Sequence, residues 1–134
     1  MPDPRKERSG HTVLYVEDDL SSLALVEAIL AADAGRRTLF AVQGRLGVEL
    51  ARAHLPDLVL LDLRLPDIPG EEVLRRLRAD RRTAGIPVLV VSTECGPATA
   101  DRLLAAGASA CLSKPLDVDA FLAAVDRLLP APTP

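Results

Sequence analysis

Five residues carry the types and placement that could do chemistry: Glu17, Asp18, Asp62, Ser92 and Lys114. Each stands at or just beyond the end of a short apolar run: TVLYV before Glu17 and Asp18, LVLL before Asp62, VLVV before Ser92, and ACLS before Lys114. Carboxylates gathered in one place repel one another, and each must take up a proton or share a cation. Mg²⁺ suits such a group, because it prefers hard oxygen ligands and retains waters. A cation there would draw in a phosphate donor and offset charge as a phosphoryl group moves. Asp62 can attack phosphorus to form an aspartyl-phosphate. The Lys114 ammonium can then pair with one phosphoryl oxygen, and the Ser92 hydroxyl can donate to another. Taken singly, each residue also has a plainer reading. Glu17, Asp18 and Asp19 suit a solvated loop or a helix cap, Ser92 an ordinary loop hydroxyl, and Lys114 a surface charge. Residue chemistry alone leaves two-metal phosphate hydrolysis and simple metal binding open.

The elements that must position these groups follow from hydrophobic spacing. Residues 12–16, 38–42, 58–62, 88–92 and 110–113 are short apolar runs of the kind that form strands covered on both faces. Residues 21–33, 46–54, 71–79, 99–106 and 118–129 place apolar side chains at helical intervals, with Gly107 as the C-cap of the fourth helix. Five strand–helix repeats imply a doubly wound, five-stranded parallel sheet with helices on both faces, an open α/β sandwich of flavodoxin-like (βα)5 type. A closed barrel of eight repeats needs roughly 250 residues, and this chain has 134. In an open parallel sheet, ligands sit beyond the carboxyl ends of the strands, where strand order reverses. That is the edge to which the five residues belong.

Composition narrows the function classes. The chain suits one domain: a polar lead over residues 1–11, a domain over 12–129 and a Pro-rich tail over 130–134. With two Phe, one Tyr and no Trp, it has no aromatic platform for single-stranded nucleic acid. A formal net charge of −3 argues against nucleic-acid binding through bulk charge. The arginines at 75, 76, 78, 81 and 82 are interspersed with Glu71, Glu72 and Asp80, so direct nucleic-acid contact is not expected. Cys95 and Cys111 form no metal-ligand pattern with His11 or His54 and are expected to be reduced. The lack of an apolar leader or spanning segment points to no membrane association and to cytoplasmic residence.

Residues 12–129 resemble the receiver domain of two-component response regulators. The resemblance rests on VLYVEDD at 13–19, LVLLDLRLPDIPG at 58–70, PVLVVST at 87–93 and CLSKP at 111–115. It implies phosphorylation of Asp62 by a sensor histidine kinase or a histidine phosphotransfer protein. It assigns Mg²⁺ to Glu17, Asp18, Asp62 and the backbone carbonyl of Arg64, and makes Ser92 and Lys114 the hydroxyl and lysine of the site. It further implies a cis Lys114–Pro115 bond, and it puts Gly70 at the start of the third helix.

Three positions depart from the commonest family pattern. The first acid is Glu17 rather than Asp, Thr93 stands where Ala is usual, and Cys111 replaces an aromatic residue. Thr93 and Cys111 leave room for a receiver fold used as a phosphorylation-independent interaction module. The family's output surface, made of the fourth helix, fifth strand and fifth helix, carries Asp101, Arg102, Asp119, Asp126 and Arg127 for a homodimer or a downstream protein. Arg64 and Glu94 have the charge and length to meet across the mouth of the site. Both a single-domain regulator and the receiver of a hybrid kinase fit the motifs.

Overall fold

The computed structural model describes residues 11–32 and 36–129. The expected lead, apart from His11, and the expected tail lie outside the described residues. Strands and helices alternate as β1 (His11–Val16), α1 (Leu20–Ala31), β2 (Arg36–Ala41), α2 (Gly44–His54), β3 (Leu58–Leu61), α3 (Gly70–Ala79), β4 (Val88–Ser92), α4 (Pro97–Ala105), β5 (Ala110–Ser113) and α5 (Val118–Leu128). The strands pair in parallel in the order β2-β1-β3-β4-β5.

Strand side chains alternate between two helical layers, as a period of two requires. Val13, Tyr15, Leu58, Leu60, Leu89 and Val91 pack with Val26 and Leu30 of α1 and Phe121 and Val125 of α5. Leu14, Val16, Val59, Leu61, Val88 and Val90 pack on the opposite face with Val48 of α2, Val73, Leu74 and Leu77 of α3, and Leu103 of α4. Fully burying one such aliphatic side chain is worth about 1.5–3 kcal/mol. Continuous apolar strands are therefore what this double-sided core needs.

Capping explains where the helices begin. Asp19 Oδ2 accepts hydrogen bonds from the Ser22 N–H at 3.1 Å and the Ser22 hydroxyl at 2.7 Å, so α1 opens at Leu20. Gln43 offers α2 no side-chain cap. Instead Asp67, far along the chain, accepts from the N–H groups of Gly44 at 2.7 Å and Arg45 at 2.9 Å. This tertiary cap lets α2 begin two residues before its apolar periodicity. Pro97 starts α4 early for a related reason, since proline suits the first helical turn.

The arginines of α3 are used locally. Arg78 donates to the carbonyls of Ile86 at 2.8 Å, Gly107 at 3.0 Å and Ala84 at 3.1 Å, tying two loops to the helix. Gly107 has φ 111°, and a Cβ there would lie 2.9 Å from Arg78 Nε, so both backbone conformation and space call for glycine.

The cysteines correct the sequence expectation. Cys95 and Cys111 are joined as a disulfide, with their Cα atoms 6.0 Å apart. A sufficient core removes the need for a disulfide but does not prevent one. Cys111 pairs in register with Val90 and shares its face of the sheet. The β4–α4 turn crosses that same face and brings Cys95 over it. Among the described residues, no helix is long and apolar enough to cross a membrane.

Gly70 links this scaffold to the chemistry. Its N–H donates to the Leu63 carbonyl at 2.9 Å, and an added Cβ would lie 2.2 Å from the Asp62 carbonyl oxygen and 2.7 Å from Leu63 Cα. Both neighbours are backbone and cannot swing aside. Gly70→Ala is expected to destabilise the fold by about 1–3 kcal/mol, the range for overpacking. An unchanged urea midpoint would contradict that tight approach.

Candidate functional site

The neighbours of β1 reverse direction in the chain order: β2 lies on one side of it and β3 on the other. The crevice at their carboxyl ends is the expected ligand position for such a sheet. Glu17 and Asp62 are held there by a continuation of the strand ladder. The Glu17 N–H donates to the Ala41 carbonyl at 2.9 Å, and the Asp62 N–H to the Val16 carbonyl at 3.0 Å. The Lys114 N–H donates to the Ser92 carbonyl at 3.1 Å. Each side chain therefore leaves from backbone that cannot drift.

Glu17 and Ser92 are fully buried, and Asp62 is 8% exposed. The Lys114 ammonium joins the two carboxylates: Nζ donates to Glu17 Oε1 and, at 3.2 Å, to Asp62 Oδ2. It also donates to the Ser22 hydroxyl at 3.1 Å. The Tyr15 hydroxyl donates to Glu17 Oε1 at 3.3 Å, the Asp18 N–H donates to Glu17 Oε2 at 3.2 Å, and the Arg64 N–H donates to Asp62 Oδ1 at 3.2 Å. The Lys114–Pro115 bond is cis, as the family resemblance implies.

Burial raises the Glu17 carboxyl from 4.5 to about 7, reinforced by Asp62 and opposed by Lys114. Burial also acts to raise Asp62, but bonds from Glu17, the Arg64 N–H and Lys114 outweigh it and hold Asp62 below its ordinary value. Of the two carboxyls, Glu17 therefore takes up a proton more readily than Asp62. Burial works against the charge of Lys114, yet Glu17 and Asp62 raise it above its ordinary value.

The fold brings Glu17, Asp62 and Lys114 into direct contact and ties Ser92 to Lys114 through the backbone. Asp18 is exposed and enters the network through its N–H. Among the described residues, no three carboxylate, imidazole or thiol groups are already drawn together as a metal site. The Ser92 hydroxyl accepts from the Glu94 N–H at 3.3 Å. Arg64 Nε and Glu94 Oε1 meet at 2.9 Å across the mouth.

Two participants escaped the sequence reading: Tyr15 and Ser22. Tyr15 lies two residues before Glu17 on a strand, and that spacing puts both on one face. Ser22 carries no sequence signal beyond its place in the first turn of a capped helix. On the expected output face, Arg102 pairs with Glu71, and Asp126 pairs with Arg36 at 2.8 Å. A cavity of about 270 Å³ lies beside the site, between α1 and the turn after Lys114, with Leu25 and Pro115 in its wall.

With this geometry in place, comparison with known proteins is informative. The response regulator receiver domain family profile matches residues 13–126. The polar-differentiation response regulator DivK of Brucella ovis is 32% identical over 118 residues, covering 88% of this chain and 95% of its own. The solved structure of the chemotaxis response regulator CheY4 of Vibrio cholerae has a TM-score of 0.81 at 28% identity, covering 89% of this chain and 98% of that one. The receiver domain of a Pseudomonas aeruginosa sensor histidine kinase, solved with a magnesium ion coordinated in its active-site cleft, has a TM-score of 0.79 at 25% identity. That match covers 88% of this chain and 96% of the other.

The protonation of Glu17 sets a pH dependence in protein freed of divalent metal. A carboxyl raised in the folded state stabilises the fold fully below its unfolded value of 4.5, and that contribution is lost as pH rises through about 7. Asp62, being lowered, acts with the opposite sign, and its contribution is lost only at acid pH below its ordinary 3.8. From about pH 5 to pH 8, wild type should lose on the order of 2 kcal/mol relative to Glu17→Gln, whose amide stays neutral. Urea unfolding in a chelating buffer at both pH values measures the difference. Parallel behaviour of the two proteins would show that Glu17 does not hold that proton.

Proposed function

Because this chain belongs to the response regulator receiver domain family, we propose that it is a cytoplasmic phosphoacceptor that takes a phosphoryl group onto Asp62 from a sensor histidine kinase or a histidine phosphotransfer protein. The observation that carries this reading is the convergence of the Lys114 ammonium on the buried Glu17 and the Asp62 carboxylate at the β1/β3 crevice. An Asp62 oxygen attacks phosphorus, the bond from phosphorus to the donor's histidine nitrogen breaks, and that nitrogen keeps the electron pair. Lys114, already beside Asp62, can follow the new phosphoryl group and offset its charge. The buried Ser92 hydroxyl is free to give up its bond from the Glu94 N–H and donate to a phosphoryl oxygen.

The donor set suits Mg²⁺ in its chemistry. Glu17, Asp18 and Asp62 offer hard carboxylate oxygens, the Arg64 carbonyl offers another, and the proton on Glu17 marks excess negative charge that a cation would relieve. When bound, the ion would screen the negative charge of donor and acceptor during transfer. Leu20, Leu25 and Val118 are 75%, 47% and 44% exposed near the starts of α1 and α5, and they give a protein donor apolar ground beside the site. The α4–β5–α5 face remains the surface proposed for a second copy or a downstream protein.

Incubating wild type with Mg²⁺ and a small phosphodonor should add one phosphoryl group, and Asp62→Asn should acquire none. Unchanged labelling of Asp62→Asn would move the acceptor elsewhere. Failure of folded wild type to label with either a small donor or a cognate kinase would favour an interaction module that keeps the fold without phosphorylation.

The Arg64–Glu94 pair carries a second expectation. Both side chains are largely exposed, at 73% and 43%, so the pair is worth about 0.2–1 kcal/mol, enough to bias a closed mouth without locking it. Arg64→Ala and Glu94→Ala should each lose the Asp62 phosphoryl group faster than wild type, by about two- to fivefold. The double variant should match either single one. Timing phosphoryl loss after donor removal reads this directly, and slower loss in Glu94→Ala, or additive effects in the double variant, would refute a closing pair.

A further inference from the structure

We propose that the Cys95–Cys111 disulfide is a reversible thiol–disulfide exchange site that governs how readily the Asp62 site opens. The proposal rests on the phosphoacceptor reading for its output, but not for its structural core. Its first support is placement. Cys95 lies three residues after Ser92, and Cys111 lies three residues before Lys114. The crosslink therefore fastens the loop that leaves Ser92 to the strand that delivers Lys114.

That loop has only light non-covalent restraint of its own. Thr93 and Glu94 are exposed. The ties are the Gly96 N–H bond to the Glu94 carbonyl at 2.9 Å, the Glu94 N–H bond to the Ser92 hydroxyl at 3.3 Å, the Ser113 hydroxyl bond to the Cys95 carbonyl at 3.0 Å, the packing of Cys95 on the core, and the exposed Arg64–Glu94 pair at 2.9 Å. With the crosslink intact, Glu94 is kept within reach of Arg64 and the mouth stays closed. Without it, the loop is held only by that packing and by bonds that water can replace.

The second support is that the fold does not need the crosslink. Aliphatic clusters fill both faces of the sheet, whereas disulfides kept for stability belong chiefly to small domains without such cores and to oxidising surroundings. Both cysteines are only partly buried, so a reductant can reach them. The exchange needs a dithiol. One of its thiolates attacks a sulfur of the pair, breaking the Cys95–Cys111 bond and forming a mixed disulfide. Its second thiol then displaces the remaining cysteine. Two electrons and two protons pass to Cys95 and Cys111, which end as thiols, and the dithiol ends as a disulfide.

The test uses the full chain prepared oxidised and, separately, reduced with dithiothreitol, with mass spectrometry confirming the gain of two hydrogens. Reduction should speed both phosphoryl uptake from a small donor and phosphoryl loss by about threefold or more, as opening a gate does. Cys95→Ser and Cys111→Ser should show the reduced rates whether or not dithiothreitol is present. Amide exchange of residues 93–96 should rise on reduction. Equal rates in the two states, or serine variants that still respond to dithiothreitol, would overturn the proposal. So would finding both thiols free after equilibration with excess oxidised glutathione. If neither state accepts a phosphoryl group, the phosphoacceptor reading fails by itself. The gate is then judged on amide exchange, where equal protection in both states overturns it.

Discussion

One ammonium shared between two carboxylates at adjacent strand ends sets the terms for this site. Glu17 and Asp62 are removed almost entirely from water, and each ionised carboxylate so placed carries a desolvation cost of several kcal/mol. Lys114 compensates for one charge and not for two. Burial, reinforced by Asp62, displaces the Glu17 carboxyl upward to about 7, while bonds from Glu17, the Arg64 N–H and Lys114 hold Asp62 down. The carboxyl held down is the more exposed of the two, and the one raised is fully buried. A parallel sheet with β1 beside β3 is what permits this, because it places two acidic strand ends side by side.

Such a pair is only as well placed as the backbone beneath it. The strand ladder continues through Glu17 and Asp62 themselves, so the two carboxylates inherit the rigidity of a fully buried sheet. The loops around them differ: the β3–α3 loop packs Leu63 and Ile68 into the core, whereas Thr93 and Glu94 of the β4–α4 loop are exposed. Each is fastened separately: the loop after β3 by Asp67 at the α2 N-terminus and by the close approach of Gly70, the loop after β4 by the disulfide and by Arg64. The strength of these ties differs widely. A glycine packed on a peptide and a covalent bond resist displacement, whereas an exposed ion pair yields to solvent and salt. The β4–α4 loop therefore depends on its single covalent tie more than any other wall of the site does.

The fold and the Glu17–Asp62–Lys114 cluster were legible in the sequence because both rest on local signals. Apolar β-branched runs name the strands, and Glu17, Asp62 and Lys114 stand where those runs stop. What was not legible depends on tertiary placement. Asp67 caps a helix twenty-three residues away, so no spacing rule finds it, and α2 consequently starts earlier than its periodicity suggests. Tyr15 looked like one more core residue, yet its hydroxyl reaches Glu17. The cysteines were read through need and compartment. Their pairing follows instead from a turn that folds back over the strand next door. Asp18 is the reverse case: the motif singles it out, but its side chain is exposed while its N–H donates to Glu17.

Electrostatics away from the site follows the same logic of local pairing. The arginines of α3 suggest a basic surface until their partners are placed. Arg75 and Arg76 both bind Glu72, Arg52 and Arg82 both bind Asp80, and Arg78 binds backbone carbonyls. These arginines are thus engaged by partners within the fold, in a chain whose net charge is −3. On the α4–β5–α5 face, Arg102 is joined to Glu71 and Asp126 to Arg36. The Arg102–Glu71 pair is exposed on both sides and contributes at most about 1 kcal/mol. A partner presenting its own charges can therefore replace one bond with another at little net cost. Affinity on that face would then follow from how the face is shaped rather than from charge alone. The β4–α4 loop runs into α4 at Pro97, about one turn before Arg102.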